Sequence, residues 1–113
     1  MGRYYSGDIE GKFWFGVQPS DCADRFGVEG VTPNYLEYFF DEENLEELEN
    51  ELDRIESNDW FRAFHAYHED TTGQLSRPDV SQEAEKDYAD YVLGIQIYDC
   101  IKKTGQCSFS AEL

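Results

Sequence analysis

The stretch Asp41-Glu42-Glu43-Asn44-Leu45-Glu46-Glu47-Leu48-Glu49-Asn50-Glu51-Leu52-Asp53-Arg54-Ile55-Glu56 reads as one amphipathic helix over residues 42–56. Leu45, Leu48, Leu52 and Ile55 recur at intervals of 3, 4 and 3, which places them on one helical stripe. Asp41 is a good N-cap, and Glu42 and Glu43 suit the positive end of the helix dipole. Glu42, Glu46, Glu49, Asp53 and Glu56 repeat the stripe one residue out of phase, about 100° around the axis. Glu43, Glu47 and Glu51 widen the charged side. One side is built to be buried, and the rest presents carboxylates.

The segment on the N-terminal side reads as strands. Residues 1–18 have the pattern of a β-hairpin: Tyr4-Tyr5, a turn-rich Ser6 to Gly11, then Lys12 to Gln18. Alternation puts Phe13, Phe15 and Val17 on one face and Trp14 on the other, and Pro19 ends the strand. Ser20 to Gly27 reads as a short helical turn capped by Ser20, and residues 28–33 as a loop. Asn34 to Phe40 reads as another strand.

On the C-terminal side the pattern turns helical. Asn58 or Asp59 can cap a short helix through His68 with Trp60, Phe61, Phe64 and Tyr67 on its apolar side. Thr71 to Pro78 reads as a loop. Ser81 to Lys103 reads as a long helix, with Ala84, Tyr88, Tyr91, Ile95 and Tyr98 as its stripe, Val92 and Ile101 beside it, and Gly105 as its stop. Gln106 to Leu113 is an edge strand or a tail. Strands followed by helices give an α+β domain: a small antiparallel sheet packed on two or three helices. At 113 residues the chain forms one compact domain spanning residues 1–113, and 18 aromatics equip it for a real core.

Charge bounds the function. With 25 acidic and 9 basic residues, the formal net charge is -16. Attraction to phosphate needs cations that release counterions, so the chain is not expected to bind nucleic acid or an anionic membrane itself. Its field points at proteins that do. Between Asp41 and Asp59 ten carboxylates face one base, Arg54. Over residues 42–56, a length of roughly 22 Å, this leaves about one net negative charge per 3 Å, close to the phosphate spacing of a DNA strand. A helix selected for solubility alone would intersperse Lys and Arg. Glu42, Glu43, Glu46, Glu47, Glu49, Glu51, Asp53 and Glu56 are therefore the candidate partner-binding residues. Glu83, Glu85, Asp87 and Asp90, read as the outer side of the last helix, extend the field. The alternative is a solvated acidic face on a scaffold or adaptor protein with no inhibitory role.

Other chemistry is thinly signalled. His65 and His68 stand at i,i+3, a spacing that helical metal pairs use, and would serve a small metal-dependent hydrolase if a third ligand joined them. No third ligand is signalled, so a capping or interface role for the pair is the preferred reading, and no cofactor or metal is expected. Cys22, Cys100 and Cys107 lack paired spacing and fit reduced thiols in a cytoplasmic compartment. Acids around Cys22 oppose thiolate formation. No apolar run reaches the roughly 20 residues of a spanning helix, and no signal-peptide h-region is visible. Met1-Gly2-x-x-x-Ser6 fits an N-myristoylation pattern only formally, in the bulky context of Arg3, Tyr4 and Tyr5.

The opening Gly2-Arg3-Tyr4-Tyr5-Ser6-Gly7-Asp8-Ile9-Glu10-Gly11-Lys12-Phe13-Trp14-Phe15-Gly16-Val17-Gln18 resembles the start of small, mostly uncharacterised proteins of phages and other DNA viruses. The resemblance covers about the first 28 residues. It implies a viral origin, hence a place in the host cytoplasm. Some small acidic phage proteins are anti-CRISPRs that occupy the DNA-binding surface of a Cas nuclease. The expectation is thus an acidic, non-enzymatic interaction protein, a DNA mimic that blocks a basic nucleic-acid-binding protein, first of all a nuclease of the Cas9 type.

Overall fold

A computed structural model describes residues 3–28, 30 and 35–112. The fold is α+β. Strands β1 (Tyr4–Gly7), β2 (Gly11–Lys12), β3 (Tyr35–Asp41) and β4 (Gln106–Glu112) form one antiparallel sheet in the order β2-β1-β4-β3. Helices α1 (Leu45–Glu56), α2 (Phe61–Glu69) and α3 (Gln82–Thr104) follow β3 in the chain. The C-terminal segment, expected at an edge or as a tail, is a central strand. β4 pairs with β3 from Tyr35↔Glu112 to Asp41↔Gln106, and on its other side with β1 at Tyr5↔Ala111. Tyr5 and Ala111 stand at opposite ends of the sequence yet pair here, a placement that local pattern does not encode.

The sheet obeys period-two alternation. Tyr5, Leu36, Tyr38, Phe40, Cys107, Phe109 and Ala111 face the helices and are buried. Tyr4 and Phe39, on the opposite face, are each about half exposed. The inner rings of Tyr38, Phe40 and Phe109 stack with centroids 5.2–6.1 Å apart. Burial of this size of ring is the main source of stabilisation in a small domain.

The N-terminal hairpin is shorter than its sequence suggests. β2 ends at Lys12, and Phe13 N donates to Arg3 O at 2.9 Å as the last rung. The chain then turns, with Val17 N and Gln18 N both reaching Trp14 O and Gly16 at a φ of +83°. The turn breaks the alternation: Phe13 is buried, whereas Phe15 is 81% exposed. The next helical turn is a 3-10 turn, Cys22–Phe26, ended by Gly27 as expected. Ser20 does not cap it; its hydroxyl accepts from Arg3 Nη1 instead.

Asp41 caps the acidic helix as its sequence predicts. Its carboxylate accepts from Glu43 N at 3.0 Å, and the Asn44 side chain returns a bond to Asp41 N. Residues Glu42–Asn44 form a 3-10 turn that runs into α1. Neither Asn58 nor Asp59 caps α2 through its side chain. Asn58 Nδ2 reaches back to Ile55 O at 3.0 Å and so closes the C-terminus of α1.

The buried face of α3 differs from the expected stripe. Ala84 and Tyr88 are buried, but Tyr91, Ile95 and Tyr98 are only half-buried and Val92 is 40% exposed. Leu93, Gly94, Ile97 and Ile101 take the core positions. The helix serves two cores. Its N-terminal half packs Tyr88 against Ile55, Phe61 and Phe64, whereas its C-terminal half lies on the sheet. Tyr88 and the Leu93, Ile97 and Ile101 positions lie roughly half a turn apart. A Cβ on Gly94 would come within 2.8 Å of both Leu52 Cδ2 and Phe26 Cζ, so glycine is what lets α1 and the 3-10 turn seat directly on α3.

Candidate partner-binding face

The acidic face is a consequence of how α1 is held. Leu48, Leu52 and Ile55 are buried, with Leu45 half-buried at the start of the stripe. This fixes the rotation of α1 about its axis. Glu42, Glu43, Glu46, Glu47, Glu49, Asp53 and Glu56 are then all exposed. The structure therefore exposes seven of the eight candidate residues, five on α1 and two on the 3-10 turn that runs into it. Glu56 Oε2 also accepts from the Tyr91 hydroxyl at 3.1 Å, tying the end of the row to α3.

Glu51 is placed differently. Its carboxylate binds Arg25 Nε at 2.7 Å and Arg54 Nη2 at 2.5 Å. Hydrogen bonding from Arg54, then from Arg25, holds its pKa below the ordinary carboxylate value. Glu51 anchors the helix and is less free to meet a partner than its neighbours.

Arg25 is the centre of this anchor. Besides Glu51, its guanidinium binds Asp90 Oδ2 at 2.7 Å and Asp87 Oδ1 at 3.1 Å. Asp90 is fully buried and is also bound by Lys86 Nζ at 2.6 Å and Gln18 Nε2 at 2.8 Å. Burial works against the charge on Arg25, but bonding to Asp90 and Glu51 outweighs it and raises the pKa of the group. The cluster joins the Trp14–Gln18 turn, the 3-10 turn, α1 and α3. Asp90 thus leaves the outer acidic set in which its sequence context placed it. Its position was readable: it continues the Leu93, Ile97, Ile101 phase and stands four residues after Lys86. Of that outer set, Glu83 is exposed, and Glu85 pairs with Arg77. This clasp spends Arg25 and Lys86 on internal bonds, and among the described residues no Lys or Arg is ion-paired to Glu42, Glu43, Glu46, Glu47, Glu49, Asp53 or Glu56.

His65 and His68 lie against the ring of Tyr88. His65 Nδ1 is 3.0 Å from the Tyr88 hydroxyl, and the His68 ring stacks on Tyr88 at 4.8 Å. Burial lowers the pKa of His68, and the nearby charge of Arg77 adds to this. Both rings belong to an aromatic cluster with Trp14, Phe61 and Phe64. Among the described residues no three His, Cys, Asp or Glu side chains come together as a metal-holding group. Cys22 is buried, and its thiol pKa is raised far above the ordinary value by burial and then by Asp90, not by the sequence neighbours Asp21 and Asp24. Among the described residues no helix is long and apolar enough to cross a membrane. Comparison with known proteins finds no matching family model, no matching curated protein and no matching solved structure.

Proposed function

We propose that this chain is an acidic interaction protein that mimics the charge of a nucleic-acid strand and blocks the basic surface of a nucleic-acid-binding protein. The observation that carries the reading is the arrangement of α1. Its apolar stripe is buried in the core, and seven exposed carboxylates lie on it and on the 3-10 turn before it, from Glu42 to Glu56; among the described residues none of them is ion-paired to a Lys or Arg, and Arg54 is itself bound to Glu51. Like charges at i,i+4 cost a few tenths of a kcal/mol per pair in the isolated helix. A partner rich in Arg and Lys turns that repulsion into attraction. It also speeds encounter, because complementary fields steer diffusion.

The first target we propose is a guide-loaded nuclease of the Cas9 type, whose Arg and Lys side chains read a short DNA motif and grip the duplex backbone. On this reading the chain is a phage anti-defence factor acting in the host cytoplasm, and it works by occupancy rather than by catalysis. The test is binding of a labelled target duplex to such a nuclease, followed by fluorescence anisotropy. It uses the parent chain and a variant carrying Glu46→Gln, Glu49→Gln and Asp53→Asn. The parent should displace the duplex, and less so as salt rises, because exposed pairs are screened over about 8–10 Å. The neutral variant should lose several kcal/mol of affinity while keeping its fold. Equal inhibition by parent and variant in moderate salt would favour the scaffold alternative. Failure of the parent to compete would remove this target.

A further inference from the structure

The junction between α3 and β4 brings the Cys100 thiol against the backbone that leads into Cys107. Gly105, at a φ of +87°, ends α3 in the left-handed conformation that an L side chain rarely adopts. The chain therefore reverses within one residue, and Cys107, the second residue of β4, returns to the last turns of α3. Cys100 Sγ donates to the carbonyl of Gln106, the neighbour of Cys107, at 3.3 Å. Thr104 Oγ1 lies 3.0 Å from Cys100 O and 2.9 Å from Gln106 O, which fastens the same reversal. Beyond burial, interaction with Cys100 raises the Cys107 thiol further.

The two thiols differ in access. Cys107 is fully buried beneath the sheet, and burial pushes its thiol well above the usual range. Cys100 is half-buried and opens onto a surface groove of about 650 Å³ that also contains Ile9, Gln96, Asp99 and Lys103. Cys22 lies apart from both, on the 3-10 turn beside Asp90.

We propose that Cys100 and Cys107 are a peroxide-responsive pair that closes a reversible disulfide between the end of α3 and the central strand. The Cys100 thiolate attacks one oxygen of hydrogen peroxide. The O–O bond breaks, and the departing hydroxide takes a proton to become water, leaving Cys100 as a sulfenic acid. Cys107 sulfur then attacks the Cys100 sulfur. The S–O bond breaks, and the hydroxide leaves as water with the proton from Cys107. Two thiols lose two electrons, and one peroxide is reduced to two waters. The inaccessible thiol resolves rather than initiates, and its fixed proximity offsets its low thiolate fraction. A dithiol such as dithiothreitol reverses the bond by exchange.

The sequence itself supplies a clean assay, because Lys102 and Lys103 lie inside the would-be ring. The reduced full-length chain is treated with hydrogen peroxide, denatured, alkylated and digested with trypsin without reductant. The expected product is one peptide pair held together through Cys100 and Cys107, with Cys22 alkylated, and dithiothreitol should separate the pair. Cys100→Ser, at a half-buried site, should abolish the linked pair, whereas Cys22→Ala should leave it. Cys107→Ala should let Cys100 stop at the sulfenic acid, trapped by dimedone. The parent should show little dimedone adduct. Oxidised parent that retains two alkylatable thiols at Cys100 and Cys107, accumulates dimedone-reactive Cys100, or links Cys100 between two chains would overturn the proposal.

Discussion

Removal of Arg25 should unfasten the acidic helix. Arg25→Met keeps the aliphatic stem and deletes the guanidinium that binds Asp90, Glu51 and Asp87 at 2.7, 2.7 and 3.1 Å. Asp90 is fully buried, and breaking a buried ion pair costs about 3–5 kcal/mol because the remaining charge is left uncompensated. Lys86 and Gln18 stay bonded to Asp90, so the lower end applies, about 3 kcal/mol. For a chain of this length that corresponds to a fall in Tm of roughly 12 °C. Urea unfolding should report it through two probes, far-ultraviolet circular dichroism and the fluorescence of Trp14 and Trp60. The double variant Arg25→Met with Asp90→Leu should recover part of the loss, since removing both partners removes the uncompensated charge. A loss under about 1 kcal/mol in the single variant would refute the reasoning and mean that the clasp behaves as a surface pair.

The pH dependence of the same clasp has a defined sign. Glu51 titrates below its ordinary value of 4.5 in the folded chain, so its contribution is full above that value and fades as pH falls through the folded pKa. Glu51→Gln should therefore flatten the acid side of a stability–pH profile relative to the parent, measured by urea titration at successive pH values. Leu48→Ala, at a fully buried site, and Leu52→Ala should each cost about 2–5 kcal/mol in chemical denaturation. Gly94→Ala should cost about 1–3 kcal/mol by forcing Leu52 and Phe26 away from α3, read as a lower Tm. Chelator treatment should leave the Tm unchanged, because a structural metal would contribute folding energy directly.

Local pattern made much of this architecture legible. The stripe of Leu45, Leu48, Leu52 and Ile55 fixed both the existence of α1 and its orientation, because a 3.6-residue period leaves one way to bury it. Asp41 and Gly105 marked ends that the structure keeps, since a cap and a left-handed stop are chemical properties of single residues. The exposure of Glu42, Glu46, Glu49, Asp53 and Glu56 follows from the same period. Long-range pairing was not legible. Whether residues 106–112 sit at an edge or in the middle of a sheet depends on β1 and β3, far away in the chain. Which face of α3 is buried depends on two cores meeting one helix from different sides. The phase of Asp90 with Leu93, Ile97 and Ile101 marks it for burial, but only tertiary packing brings Arg25 and Gln18 around it. Period and composition determine which elements form and where charge accumulates; only the folded chain decides which charges are spent inside and which remain on the surface.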